Sequence, residues 1–256
     1  MPADLVNSPV KLPAGYRLAA FESLDSTNEQ ARRLAMDGAL DGTVIWAKSQ
    51  TAGRGRQGRQ WQSPEGNLYC SIIIRPTVQT ADAAQLSFVT ALALGRAVSD
   101  LLPDSVKMRY KWPNDLLLDG RKAAGILLES SGGPDGGLDW LVVGTGLNVE
   151  DYPDVTDGYP ATSLREAGVR PVALQDILAR YIDGFAHWRA RWQNDGITTV
   201  REAWLERAAQ LGEDITVRQP NGQLKGRFFG LDECGALLLD LPDGTRRTIT
   251  AGDVFF

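Results

Sequence analysis

Apolar positions along the chain follow two periods. Strand-like runs occur at Tyr16–Glu22, Thr43–Ser49, Leu68–Ile74, Val106–Trp112, Asp115–Leu118, Lys122–Glu129 and Leu138–Val149. Asp119-Gly120 separates two of these runs and predicts a tight hairpin. Residues 82–102 repeat apolar side chains at Leu86, Val89, Ala93, Ala97 and Leu101, the spacing of one long helix face. Two more helices are expected over 173–193 and 197–209. Ser26-Thr27-Asn28-Glu29 reads as a capping box opening a short helix toward Gly38. Residues 1–14, with Pro2, Pro9 and Pro13, form an extended lead-in, and 151–160 is a loop rich in Asp, Pro and Gly. From Asp214 the pattern changes to short strands with turns at Pro220-Asn221-Gly222, Cys234-Gly235 and Pro242-Asp243-Gly244. A boundary near residue 212 is expected, with a mixed helix-and-strand part over 15–211. The remainder, 212–256, reads as a small β-barrel of about 45 residues, which needs packing on its neighbour to be stable. The fold class is α+β.

Composition narrows the function. Of 256 residues 43% are hydrophobic and 23% charged, which excludes intrinsic disorder. The formal net charge of −5 has the wrong sign for a protein that coats nucleic acid by bulk charge. Cys70 and Cys234 make no disulfide framework, and His187, the only histidine, removes His-rich metal sites and demotes His-based catalysis. Neither a signal-like N-terminus nor an apolar run of membrane-spanning length is evident, so a cytoplasmic location without membrane contact is expected.

Against this acidic background one loop stands out. Between Gly42 and Pro64 there is no Asp or Glu, yet Lys48, Arg54, Arg56 and Arg59 all fall inside, interleaved with Gly53, Gly55 and Gly58. Glycines let backbone N–H groups turn toward an anion, and guanidinium forks add charge-assisted bonds. The glycines satisfy G-x-G-x-x-G, but a strand rather than a helix follows, so a dinucleotide fold is excluded, and no Lys-Ser/Thr completes a phosphate-binding P-loop. A solvated basic loop and a nucleic-acid contact remain open on spacing alone. Lys111-Trp112-Pro113-Asn114-Asp115 sets a cation, an amide and a carboxylate around one irregular turn. Asp115 there is a magnesium ligand, a proton acceptor for an attacking amine, or a turn-forming residue. Lys122 opens an apolar run, either as a fixed charge in a pocket or as a surface lysine. Gly144-Thr145-Gly146-Leu147-Asn148 permits close ligand approach or forms a bulge. The inventory combines several cations, one carboxylate and amides without a Ser–His or Cys–His pair, which suits phosphoanhydride chemistry.

These segments, in this order, resemble the biotin–protein ligases. The resemblance rests on Asp25-Ser26-Thr27-Asn28, on Gln50 through Trp61, on Lys111–Asp115, on Gly120 through Leu127 and on Gly144–Asn148, and it extends over about residues 16–256. It implies a catalytic domain of the class II synthetase-like, biotinyl/lipoyl-ligase type with a mixed sheet, followed by a small SH3-like barrel. It implies activation of biotin by MgATP to biotinyl-5′-AMP, then transfer to a lysine of a biotin carboxyl carrier protein of acetyl-CoA carboxylase or a related carboxylase. Only 24 residues precede Asp25, too few for the DNA-reading domain of bifunctional members, so the short, non-repressor form is expected, a monomer or weak homodimer. Carried over by position, Ser26, Thr27, Asn28, Gln50, Gly53, Arg54, Gly55, Arg56, Lys122 and Gly125 are implied to hold biotin. Arg54, Arg56, Arg59, Trp61, Lys111, Asn114 and Asn148 are implied for the nucleotide. Lys122, Arg56 and Asp115 are the implied catalytic residues, with Asp115 also the candidate magnesium ligand. Residues 50–60 are expected to be mobile without ligand and to order over the adenylate. Two rivals are a lipoate–protein ligase and a non-catalytic nucleic-acid binder.

Overall fold

The computed structural model describes residues 10–76, 80–133, 137–154, 159–219 and 222–256. Residues 1–9 of the expected lead-in, 155–158 of the expected loop and Pro220-Asn221 of the expected turn lie outside these. The chain begins with β1 (Arg17–Leu24), α1 (Thr27–Met36), β2 (Thr43–Gln50) and β3 (Leu68–Ile74). After α2 (Thr80–Ala83) and α3 (Leu86–Ser99) come β4 (Met108–Lys111), β5 (Asp115–Leu118), β6 (Arg121–Gly132) and β7 (Leu138–Leu147). The seven strands form one sheet in the order β1-β2-β3-β7-β6-β5-β4. Only β1 and β2 run parallel, joined across α1, and every other pair is antiparallel, so the sheet is mixed.

Strand β3 shows why the sheet is covered on both faces. Side chains alternate along a strand, and Leu68, Cys70, Ile72 and Ile74 enter the main core with α3 and with α4 (Leu174–Asp195). Ile73 faces the other way, into a smaller cluster with Ala31 and Ala35 of α1. Ser71 shares that second face and bonds to α1. Helix α3 is buried on nearly every side.

The single helix expected over 82–102 is two. Gln85 interrupts it, its amide accepting the Trp192 indole N–H at 2.6 Å and donating to Asp82 at 3.2 Å. The last helix, α5 (Ile197–Leu205), stops short of 209 because the chain leaves it to pair with the edge strand: Tyr110 N–H donates to Arg207 at 2.8 Å and Ala209 N–H to Tyr110 at 2.7 Å. The capping box does not form either. Ser26 makes no cap bond; Gln50 from β2 accepts the Thr27 N–H at 2.7 Å instead, while Glu29 turns to Arg32 and Arg54.

The C-terminal strands are β8 (Asp214–Gln219), β9 (Gly222–Leu231), β10 (Leu237–Asp240), β11 (Arg246–Ile249) and β12 (Asp253–Phe255). They form an antiparallel sheet in the order β11-β10-β9-β8-β12. It docks through Gly235, whose carbonyl accepts the Trp112 indole N–H at 3.0 Å and whose α-carbon abuts the Phe88 ring. No helix among the described residues is long and apolar enough to cross a membrane.

Candidate active site

A cavity of about 930 Å³ opens between the two sheets, at the upper end of the range for small-ligand sites. Its wall gathers residues from segments far apart in sequence: Ser26, Thr27 and Asn28 at the start of α1, Gln50 at the end of β2, the arginine loop, and Lys111, Asn114, Asp115, Lys122 and Gly125 from the β4-β5-β6 hairpins. Thr145, Gly146 and Asn148 complete the floor, and Tyr159, Arg218, Asp253 and Phe255 form the rim. Six cations (Arg54, Arg56, Arg59, Lys111, Lys122, Arg218) face three carboxylates (Asp115, Asp154, Asp253) across the lining. A locally positive cavity in a net negative chain is suited to an anionic ligand.

One end is built for charge. Asp115 is buried, its Oδ2 3.0 Å from Lys111 Nζ and its Oδ1 2.5 Å from Lys122 Nζ. Burial pushes its carboxyl upward, but the two ammoniums outweigh burial and hold it at about 2. A bulge positions Lys122. Lys122 and Gly125 are three apart, which a regular strand would send to opposite faces; β6 slips register between the partners of Leu116 and Leu117, and both residues reach the cavity. The Lys122 ammonium lies 5.5 Å from the Trp61 ring centroid, and that of Lys111 4.8 Å from the Tyr159 ring centroid. The Tyr159 hydroxyl is pushed up to about 12, by burial and by the nearby Asp115 charge.

The other end is polar and neutral. Gln50 Oε1 accepts from Thr27 N–H at 2.7 Å and from Thr27 Oγ1 at 3.1 Å, while its Nε2 donates to Ser63 at 2.8 Å. Ser71, which the sequence did not single out, lies 2.8 Å from Thr27 Oγ1 and 2.6 Å from Asn28 Oδ1. The β7 glycines make room: a Cβ on Gly144 would meet Asn28 Oδ1 at 2.0 Å, and one on Gly146 the Trp61 indole at 2.5 Å. Trp61 lies between Gly146 and Gly125, its buried indole N–H unpaired.

The loop over the cavity folds back on itself. Gly55 N–H donates to Arg59 O at 2.7 Å, and the turn passes through left-handed backbone at Gln57 and Gly58. Arg56 donates to Asn114 Oδ1 at 2.9 Å and lies 3.7 Å from Asp253, with which Arg59 also pairs. Asn114 in turn donates to Ile126 O at 2.6 Å, and Asn148 to Thr162 O at 2.9 Å.

Arg54, Arg56 and Lys122 therefore face one cavity. Of the residues that the resemblance implies for biotin, nucleotide or catalysis, Gly53 alone is absent from its lining; Gly53 is packed beneath the loop, where a Cβ would meet Trp61 O at 2.3 Å, while Lys48 of the anion-free stretch pairs with Glu22 instead. Asp115 does not fit a magnesium ligand, because each of its oxygens already faces an ammonium. The described residues hold no group of three His, Cys, Asp or Glu arranged for a metal. His187 is exposed on α4 against Trp188 and does not line the cavity.

Known proteins are similar to this chain over most of its length. Residues 20–148 match the biotin/lipoate A/B protein ligase family, and residues 211–256 match the biotin protein ligase C-terminal domain. The chain belongs to the biotin/lipoate A/B protein ligase family. A biotin--[acetyl-CoA-carboxylase] ligase of Paracoccus denitrificans is 43% identical over 240 residues, spanning 91% of this chain and 97% of that protein. Among solved structures, the biotin protein ligase of Aquifex aeolicus in complex with biotin and ATP superposes with a TM-score of 0.80 at 28% identity, over 93% of this chain and 97% of that one. The Leishmania major ligase in complex with biotinyl-5-AMP gives 0.66 at 26% identity, over 93% of this chain and 100% of that one. The two solved biotin protein ligases thus match this chain over most of its length, and residues 211–256, which carry the second sheet, match a domain named for the biotin ligases.

Proposed function

We propose that the chain is a biotin–protein ligase that activates biotin with ATP and passes it to a lysine of a biotin carrier protein. The observation that carries this reading is the pair of ammoniums, buried Lys111 and partly buried Lys122, joined through Asp115 at one end of a cavity whose other end is neutral and polar. Biotin has a neutral ureido ring and an anionic tail. With the ring against Ser26, Thr27, Asn28 and Gln50, the carboxylate points toward Lys122.

In the first step a carboxylate oxygen of biotin attacks the α-phosphorus of ATP, the bond to the β-phosphate oxygen breaks, and pyrophosphate leaves. Both reactants are anionic and repel. Lys122, Lys111 and Arg56 lower that repulsion, since fixed charges in a sheltered site act without reorganisation. In the second step a carrier lysine, as the free amine, attacks the biotinyl carbonyl carbon. The C–O bond to AMP breaks, and the amine gives up a proton. Asp115, held at about 2, is too weak a base to retain that proton. Its work is to fix the two ammoniums. Magnesium enters as part of the nucleotide substrate, and no step here is assigned to it.

The carrier most in keeping with the relatives is that of acetyl-CoA carboxylase. A monomer or weak homodimer completes the reading, and the net charge of −5 suits a partner other than DNA. Free thiols at Cys70 and Cys234 suit the reducing cytoplasm. Exchange of labelled pyrophosphate into ATP tests the reading. Exchange that requires biotin and fails with lipoate is expected; exchange driven by lipoate, or none, overturns it.

A further inference from the structure

Arg54 is held differently from the other cations of the cavity. Lys111 and Lys122 lean on Asp115, and Arg56 and Arg59 on Asp253. Arg54 instead lies between two carboxylates, Nη1 3.3 Å from Glu29 and Nη2 2.9 Å from Glu129. Glu129 divides its oxygens: Oε1 takes Arg54, and Oε2 accepts from Asn28 Nδ2 at 2.7 Å. The far side of the Asn28 amide is fixed as well, by Ser71 at 2.6 Å and by Gly144, which leaves no space for it to turn. Ser71, Asn28, Glu129 and Arg54 therefore form one continuous chain of polar contacts from β3 to the arginine loop.

We infer that Glu129 is a positioning residue for biotin: it orients the Asn28 amide and straps the start of the arginine loop down through Arg54, whose side chain acts as a strut and not as a phosphate ligand. This rests on the ligase reading. A guanidinium between two carboxylates is already neutralised, and a phosphate would have to displace both anions to reach it. The amide of Asn28, by contrast, meets the neutral end of the cavity, where the direction of a donor and an acceptor decides which ring fits. Glu129 itself does not line the cavity, so it acts through Asn28 and Arg54.

The test is pyrophosphate exchange with biotin and ATP varied separately. Arg54 is half exposed, so a moderate effect is expected: Glu129→Gln and Arg54→Ala each raise the KM for biotin about fivefold, with kcat and the KM for ATP within about twofold. Combining them costs no more than the larger single effect, because both cut the same chain. Arg54→Lys, which keeps a charge, recovers part of the loss. An Arg54→Ala variant with a raised KM for ATP and an unchanged KM for biotin overturns the inference, as does an equal fall in every parameter for Glu129→Gln. If the wild-type protein shows no biotin-dependent exchange, the ligase reading fails and the strap is still decided by trypsin. Faster cleavage of the ligand-free loop in Glu129→Gln than in wild type supports it, and equal rates overturn it.

Discussion

At the scale of single residues, Asp115 shows how a group is given its role by its neighbours. A carboxylate beside a turn is by itself a base, a ligand or a turn former; two ammoniums at 3.0 and 2.5 Å remove the first two roles. Its carboxyl is held below the ordinary 3.8, at about 2, so its contribution to stability is complete above the ordinary value and is lost as pH falls from about 4 through about 2. That contribution is ~2 kcal/mol. Asp115→Asn should lower the melting temperature at neutral pH, since it leaves buried Lys111 and partly buried Lys122 without their anion, and should flatten the stability curve between about pH 4 and 2. Thermal unfolding of both proteins across that range checks this; parallel curves would show that Asp115 does not bear the titration. The cations and Asp115 were legible in the sequence because composition isolates them. Ser71 and Glu129 were not, since a serine inside an apolar strand and a glutamate at the end of another carry no local signal. What makes them matter is Asn28, 43 residues from one and 101 from the other.

At the scale of elements, the strands and their order along the chain were readable from period alone, while the interruptions were not. The break at Gln85 depends on Trp192, and the early end of α5 on an edge strand that needs a partner. The register slip that turns Lys122 toward the cavity has the same character, because a bulge is a property of two strands together. The arginine loop is the element on which the chemistry turns. Beyond the backbone bonds of Thr51 to Leu24 and Ala52 to Asp25 at its start, side chains strap it at three points, Arg54 to Glu29 and Glu129, Arg56 to Asn114, and Arg59 to Asp253. Arg54 and Arg59 are half exposed, and contacts made by such side chains are individually weak. The loop is therefore expected to open without ligand and to close over the adenylate, and limited trypsin digestion should cut within 50–60 several times more slowly when biotin and ATP are both present. Arg56→Ala should abolish part of that protection and let biotinyl-AMP escape, read as increased biotinylation of an unrelated lysine-rich protein. Equal protection and equal leakage would remove Arg56 from the closure.

At the scale of the whole molecule, the question is why a small antiparallel sheet accompanies the catalytic one. Gly235 sets the docking: its φ of +84° and the Phe88 ring against its α-carbon exclude a side chain there, and the Trp112 bond ties the docked turn to the segment that carries Lys111 and Asp115. Thus held, β12 presents Asp253 to Arg56 and Arg59 and Phe255 to the cavity, and its neighbour β8 adds Arg218. No local pattern could have disclosed this, because Asp253 stands 194 residues from Arg59. The C-terminal sheet is thus one wall of the site, and its carboxylate occupies the loop's guanidinium groups when no phosphate does. Asp253→Asn separates those two duties. The amide keeps the shape and the packing of β12, so the melting temperature should change by only a few degrees. Arg56 and Arg59 lose their anionic partner, so the ligand-free loop should be cut faster by trypsin. Once ATP and biotin are bound, the phosphates take over as the anion, and the difference in cleavage between variant and wild type should shrink. A variant whose loop is equally resistant without ligand would show that the second sheet supports the cavity by packing alone.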